Sequence, residues 1–405
     1  MVDLDACPSD LRSRLIDTAR PSDGMNDLLA FDDVPIVPFA KLPYNAEPGG
    51  ICFQGGPCWP DWDRKTVARH CQRGVPVDAR PEEAACELNL DEPVAWAGAA
   101  TAHFGHQVAD FSTRILPTLR EWPEATFAFA VRTGDGIDSL AETPRFFREI
   151  LAWFSVPLER VRILSRPTLA RRVLVAPQAE QVLGLGEGPP VPRWYLDALG
   201  DIAHRRLGRV RRGGTVFVSR SRQIKRLAGE VELETALARC GVEVFRPEEH
   251  PLPTQLARYA GADRLIFSEG SAVHGLQLLG GGLGEVHLLG RRPGSKMGKW
   301  FLPDRARRVE WIDIGCRLVC GESRFGTRII HRGMPVPDEQ RLLDAFRGMG
   351  IPVASHWDSS RYRTACENDL RLWLEKNGWQ AKRSESAEAI RTSLAECGFG
   401  HLWPG

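Results

Sequence analysis

The sequence predicts an α/β protein built on two parallel-sheet blocks. Between Thr215 and Gly290, four short apolar runs, β-branched or aromatic, alternate with amphipathic runs. Between Val94 and Val175 the same alternation occurs a second time. Strands that alternate with helical patterns over short polar loops form βαβ units, and these build a parallel sheet covered on both faces. Both blocks are therefore read as Rossmann-like domains facing a cleft. Their expected limits are 92–212 and 213–330, between an irregular N-terminal extension at 1–91 and a helical C-terminal extension at 331–405.

The extension is rich in Pro and Gly at 35–60. Ile36, Val37, Phe39, Phe53, Trp59 and Trp62 are nevertheless too apolar for a free tail, so they either cover a sheet edge or line a binding groove. In the first block, strands are expected at Val94–Ala97, Thr126–Val131, Val161–Leu164 and Arg172–Val175. Helices are expected at Gly105–Leu119 and Pro144–Phe154. A long helix, Arg193–Arg209, follows the turn at Pro189–Pro192, and Gly213-Gly214 reads as a hinge. In the second block the strands are Thr215–Val218, Val242–Phe245, Arg264–Phe267 and Glu285–Leu289. The runs Glu230–Cys240, Thr254–Ala260 and Ser271–Leu279 carry apolar residues at helical spacing. Beyond them, Glu310–Ile314 reads as a last strand, and Asp338–Met349, Glu367–Lys376 and Ser386–Cys397 as helices that either pack on the first block or extend the second.

At 405 residues the chain has room for two domains. Its net charge of +1, with 26% charged residues, argues against a nucleic-acid footprint, which would be strongly basic. No run approaches the roughly 18 apolar residues of a membrane span, and the first twenty residues lack the pattern of a secretory signal. Ten cysteines are scattered without a C-x-x-C, which suits a reduced protein better than a disulfide framework. Cys52, Cys58 and Cys71 have the wrong spacing for the common zinc motifs, and no metal is expected.

In open parallel sheets, ligands bind outside the carboxyl ends of the strands. Three such ends are polar here. Ser219-Arg220-Ser221-Arg222, with Lys225 and Arg226, places four cations and two hydroxyls in eight residues. Guanidinium forks match diphosphate oxygens, although charge runs are often only solvated. Glu269-Gly270-Ser271, followed by His274, joins a strand to a helix start. Ser271 suits an N-cap, whose free N–H groups can hold an anion; a plain capping turn is the alternative. Glu269 would repel phosphate and is better suited to sugar or ribose hydroxyls. Pro247-Glu248 offers a carboxylate to a ribose diol, or caps a turn.

In the first block, His106, Asp110 and Arg114 recur at i, i+4, i+8, opposite an apolar face of Phe104, Val108, Phe111 and Ile115. A carboxylate one turn from a histidine fixes its tautomer and raises its basicity, as a general base requires. The alternative is a solvated face with an ordinary ion pair. The glycine runs 184–188 and 280–284 lack the G-x-G-x-x-G spacing between strand and helix, so no dinucleotide cofactor is expected.

Taken together, Arg220, Arg222, Glu230, Glu232, Leu233, Gly241, Pro247, Glu248, Gln255, Ala262, Asp263, Gly270, Ser271, Ala272 and His274 resemble, in order and spacing, the family 61 glycosyltransferases. The upstream Gly105-His106, Asp110 and Arg114-Ile115-Leu116 resemble the family's Gly-His…Asp…Arg-Leu helix. The likeness covers about 95–290 and is nearest the bacterial capsular-polysaccharide branch. It implies a GT-B fold, inverting chemistry, a nucleotide-sugar donor as substrate, no metal and no cofactor. Arg220, Arg222 and Lys225 would hold the diphosphate, with Gly270, Ser271 and His274 at the helix start and Glu248 or Glu269 on sugar or ribose. His106 or Asp110 would deprotonate the hydroxyl of a glycan or lipid-linked glycan acceptor. A cytoplasmic protein, or one peripheral at the inner membrane face, is expected. Where eukaryotic members tend to carry His-Gly-Ala…Asn, this chain has Glu269-Gly270-Ser271 and Gly275. A different nucleotide-sugar enzyme, a non-catalytic nucleotide-binding protein of a polysaccharide operon and an interaction scaffold on the helical C-terminus are the alternatives.

Overall fold

A computed structural model describes residues 28–40, 53–63, 66–82, 84–184, 186–323 and 325–403. The fold is mixed α/β and divides into two compact units. The first runs to Gly208 and takes in Gln277–Gly280; the second is Arg209–Leu276 with Gly281–Gly405.

Unit 1 is built on seven strands: β1 (Leu29–Val37), β2 (Gly56–Pro57), β3 (Leu88–Leu90), β4 (Val94–Ala100), β5 (Phe127–Val131), β6 (Val161–Leu164) and β7 (Thr168–Val175). Their order is β6-β5-β4-β7-β1-β2, with β3 also on β7. β4, β5, β6 and β7 are parallel. Every residue of β4 and β5 is buried, as expected of strands covered on both faces. β7 begins four residues before the expected Arg172. Its exposed Arg171 and Arg172 conceal the alternation in the sequence, and they face Asp33 and Asp32.

Among the described residues of 1–91, several stretches are regular. β1 lies antiparallel to β7, with Leu29 opposite Val175 and Ile36 opposite Thr168. Phe31, Val34, Ile36, Phe39, Trp59 and Trp62 are buried in one core with Val94, Trp96, Phe111 and Val173.

The single helix expected at 105–119 is two: α1 (Phe104–Ala109) and α2 (Ile115–Glu121). Three features explain the break. Pro117 has no N–H, and its ring would strike the Thr113 carbonyl of a continuous helix, yet it is tolerated in the first turn of α2. Ser112 Oγ donates to the Gln107 carbonyl at 2.6 Å and Thr113 Oγ1 to that of Asp110 at 3.3 Å, so side chains cap the end of α1. Arg114 turns inward instead of onto a solvated face. It is buried, and its guanidinium donates to the carbonyls of Val67 (3.2 Å), Arg69 (2.6 Å) and Ala176. α3 (Arg145–Trp153) and α4 (Arg193–Leu207) complete the unit close to expectation.

Unit 2 carries β8 (Thr215–Val218), β9 (Glu243–Phe245), β10 (Arg264–Ser268), β11 (Leu283–Leu289) and β12 (Ala306–Ile312) in the order β9-β8-β10-β11-β12, all parallel. Strand order reverses between β8 and β10, which makes their exits the switch point where a crevice opens. The helices α5 (Glu230–Arg239) and α6 (Leu252–Gly261) are as read; Ser271–Leu278 is a 3₁₀ helix. The C-terminal helices α7 (Glu339–Gly348), α8 (Ser359–Asn377) and α9 (Ser384–Glu396) belong to this unit. Phe346, Leu370, Trp373, Ile390 and Leu394 share one core with Leu233, Leu237 and Ile266. Gly229, at φ +78°, lets α8 pack tightly on α5: a Cβ there would lie 2.4 Å from the Tyr362 ring and 2.8 Å from Cys366 Sγ. Gly213-Gly214, read as a hinge, is tied into unit 2, where the Gly213 N–H donates to the Gly261 carbonyl and the Gly214 carbonyl accepts from Asp263 and Arg264. The division falls at Gly208 instead.

Candidate functional site

Two groups of polar residues stand out, one in each unit. In unit 2 the exits of β8, β10 and β11 gather cations. Glu230, at the start of α5 and fully buried, shapes the first exit. Its carboxylate accepts from the N–H groups of Arg220 (2.7 Å) and Leu227 (2.9 Å) and from Ser219 Oγ (3.1 Å). Burial raises its pKa against those hydrogen bonds and the charge of Arg220. Arg246 and Glu234 brace the same loop from β9 and α5, with Ser221 Oγ donating to Glu234 at 2.7 Å. The loop thus holds Arg220 with its guanidinium laid against Gly270. A Cβ on Gly270 would sit 1.9 Å from one Nη, so only glycine fits that approach.

Arg291 and Arg292 follow β11. Glu269 holds both: its carboxylate accepts from the Arg291 N–H at 2.9 Å, from the Arg292 guanidinium at 2.5 Å and from Ser295 Oγ at 2.7 Å. Burial works to raise the pKa of Glu269, and these partners outweigh it, so the group stays anionic. Burial, then the charges of Arg220 and Arg292, push Arg291 down to about 10 despite Glu269. Arg291 also donates to the Lys225 carbonyl. Lys225 is lowered by burial and by Arg332, Arg291 and Arg220, and His331 falls to about 4 through burial and the nearby Lys225 and Arg332. This is a field of mutually repelling cations. Within it, the Nε–H groups of Arg220, Arg291 and Arg292 are buried and have no hydrogen-bond partner. A buried guanidinium donor left unpaired is costly unless an anion meets it, and a diphosphate brings acceptor oxygens of the matching geometry.

In unit 1, α1 follows the exit of β4. His103 caps it, accepting from the His106 N–H at 3.3 Å. His106 Nδ1 lies 2.7 Å from Asp110 Oδ2, and its side chain is 44% exposed while that of Asp110 is 2% exposed. Burial works to raise the pKa of Asp110, but hydrogen bonds from His106 and His70 win and hold it well below the carboxylate range. An ionised carboxylate only accepts, so Nδ1 carries the proton and Nε2 is left with its lone pair toward solvent. Burial alone would lower the His106 pKa; Asp110 outweighs it and the net shift is upward.

Residues 104–279 match the family model named Glycosyltransferase 61. The protein is a glycosyltransferase. No curated protein matches the chain.

The matched stretch contains every catalytic and donor-binding candidate named from the sequence, and the structure sorts them. Arg220, Gly270 and Glu269 meet in one cluster, with Lys225 beside it. Both oxygens of Glu269 are engaged by its own protein neighbours. Arg222 lies outside the buried group: its side chain is 67% exposed and 3.5 Å from Glu249. Glu248 is exposed, and its charge reaches Arg220. Ser271 opens a 3₁₀ turn in which Val273 N–H bonds the Gly270 carbonyl, so this helix start lacks the α-helical row of free N–H groups. His274 is buried beside the Phe301 ring, 5.7 Å between centroids. Among the described residues, no group of three or more His, Cys, Asp or Glu is placed to hold a metal ion, and no helix is long and apolar enough to cross a membrane. Cys52 lies outside the described residues, and burial pushes the Cys71 thiol up to about 12. Arg291, Arg292, His331 and Arg332 were not singled out, and Glu230 was named only as part of the resemblance, without a role. The signal for Arg291 and Arg292 was present, since both stand at a strand exit, directly after Leu289-Gly290.

Proposed function

We propose that this glycosyltransferase moves a sugar, with inversion, from a nucleotide-sugar donor to a glycan or lipid-linked glycan in capsule or surface-polysaccharide synthesis. Two units, each with a sheet whose central strands are parallel, support the GT-B assignment. The observation that carries the donor is the set of three buried, unpartnered Nε–H groups of Arg220, Arg291 and Arg292. They pair with the diphosphate and stabilise it as it departs, each charge-assisted contact contributing about 1.5–3 kcal/mol. Glu269 acts on Arg291 and Arg292 rather than on the sugar: it fixes their positions and offsets part of their repulsion. Glu248, exposed and within the field of Arg220, is the carboxylate left for ribose or sugar hydroxyls.

The acceptor hydroxyl attacks the anomeric carbon as the bond to the diphosphate oxygen breaks, and the bond electrons leave with the diphosphate. The hydroxyl proton passes to His106 Nε2. Asp110, buried and engaged on both oxygens, orients His106 and stabilises the imidazolium, so His106 rather than Asp110 is the base. The test is a panel of nucleotide sugars, with released nucleotide measured in the presence of candidate acceptors. Arg220→Ala is expected to weaken nucleoside-diphosphate binding, and His106→Ala to cut turnover with donor affinity kept. Wild-type transfer by both variants would overturn the assignment.

A further inference from the structure

We infer that His70 and Gln72, which precede the matched residues 104–279, are positioning residues for the His106–Asp110 pair. The inference rests on the reading of His106 as the base. Gln72 Nε2 donates to Asp110 Oδ1 at 3.1 Å, with Oδ2 at 3.4 Å, and His70 Nε2 lies 3.3 Å from Oδ1. With Oδ1 held from this side, Oδ2 is aimed at His106 Nδ1. The segment is itself held firmly. The His70 N–H donates to Asp78 Oδ2 and Arg69 Nε to Asp78 Oδ1, both at 2.9 Å, and the Cys71 N–H donates to Gln178 Oε1 at 2.7 Å. Phe111 stacks on the His70 ring at 4.9 Å, and Phe53 meets its edge at 4.9 Å.

A buried carboxylate surrounded by donors contributes less to stability than a well-packed apolar group of the same volume, so its three polar partners point to a role in orientation. The arrangement is that of a histidine whose carboxylate partner is in turn hydrogen-bonded, so that ring direction and tautomer are both fixed. Other groups facing His106 are His103, whose ring is 4.8 Å away, Phe53, and the charge of Arg132.

The experiment follows the His106 ring by ¹⁵N NMR titration of the full-length, histidine-labelled protein, which needs no knowledge of the donor. Without the Gln72 hydrogen bond, the Asp110 charge concentrates on His106. In Gln72→Leu the imidazole pKa is therefore expected to rise by about half a unit, and His70→Phe should move it the same way. His70→Gln, which keeps a donor, should restore the wild-type value. Where nucleotide release can be measured, kcat should fall about tenfold in the first two variants with the donor KM unchanged. If a variant melts early, His70→Gln and the milder Gln72→Asn carry the comparison. An unchanged His106 pKa and kcat in both Gln72→Leu and His70→Phe overturns the inference. Retained transfer in His106→Ala instead overturns the base assignment on which it rests.

Discussion

Replacing Gly270 with Ala tests the donor cluster by one methyl group. The new Cβ would lie 1.9 Å from an Arg220 Nη, 2.5 Å from Cζ and 2.9 Å from Cδ. Restoring ordinary contact at about 3.5 Å drives the guanidinium roughly 1.5 Å away. Residue 270 does not occupy the left-handed region, so Ala meets no backbone strain there. The far end of an arginine side chain can move, so the fold survives; the diphosphate then loses one charge-assisted contact. Such a contact contributes about 1.5–3 kcal/mol, or roughly 10- to 150-fold in the Kd of a nucleoside diphosphate. Titration calorimetry with uridine and cytidine diphosphates reads this directly, and thermal melts confirm that the apo protein is intact. In an Arg220→Ala background, Gly270→Ala should cost almost nothing more, because the group it displaces is gone. Wild-type affinity in the single variant, or an undiminished loss in the double, would refute the placement of Arg220.

The pH dependence of kcat/KM should show a rising limb above the free-histidine value of 6.5, because Asp110 raises the His106 pKa and only the neutral ring accepts a proton; a limb below 6.5 would contradict the pairing. Asp110 has a lowered folded-state pKa, so the stability it contributes is present above about pH 4, its unfolded value, and is lost as pH falls through the folded value. Asp110→Asn should therefore destabilise the fold at pH 7 by about 2–4 kcal/mol, as a breached buried network does, and lower the melting temperature; equal melting temperatures at that pH would exclude this. Arg114→Met should cost about 3–5 kcal/mol by stranding several buried carbonyls, and Lys should not rescue it because one ammonium cannot reproduce the planar fork; a melt within two or three degrees of wild type counts against that account. Gly229→Ala should destabilise by about 2–4 kcal/mol through backbone strain and the clash with Tyr362 while leaving nucleotide affinity intact, and a loss of affinity without a loss of stability would reverse that assignment.

The legible parts of the fold were those whose burial is periodic. Thr215–Val218 and Arg264–Ser268 are compact apolar runs ending in polar residues, so both strands and exits could be placed from sequence. Arg291 and Arg292 were missed because they precede Pro293-Gly294, and a short basic stretch there looks like an ordinary loop. The face of Phe104, Val108, Phe111 and Ile115 suggested one helix, since periodicity continues across a break that only Pro117 signals. It also placed Asp110 and Arg114 on a polar side, for which a solvated face was one reading; both are buried, because each finds several polar partners that are distant in sequence. His70 and Gln72 were invisible for the same reason. Gln72 lies in a strand of two residues and His70 just before it, with no repeat in either, and their importance arises only from what they touch.

The strand Leu29–Val37 sets an order of events for the growing chain. Its partner, Thr168–Val175, is made about 130 residues later. At synthesis rates of about 5–20 residues per second, β1 waits roughly 7–26 s for that partner. Through that interval its apolar side lacks its main partner strand, and Asp110 emerges well before β7 is made. A version begun at residue 92 or 104 would remove the wait. It would also uncover a hydrogen-bonding edge on β7 and strip the His106–Asp110 pair of His70 and Gln72, so such shortened versions should aggregate rather than act as minimal enzymes.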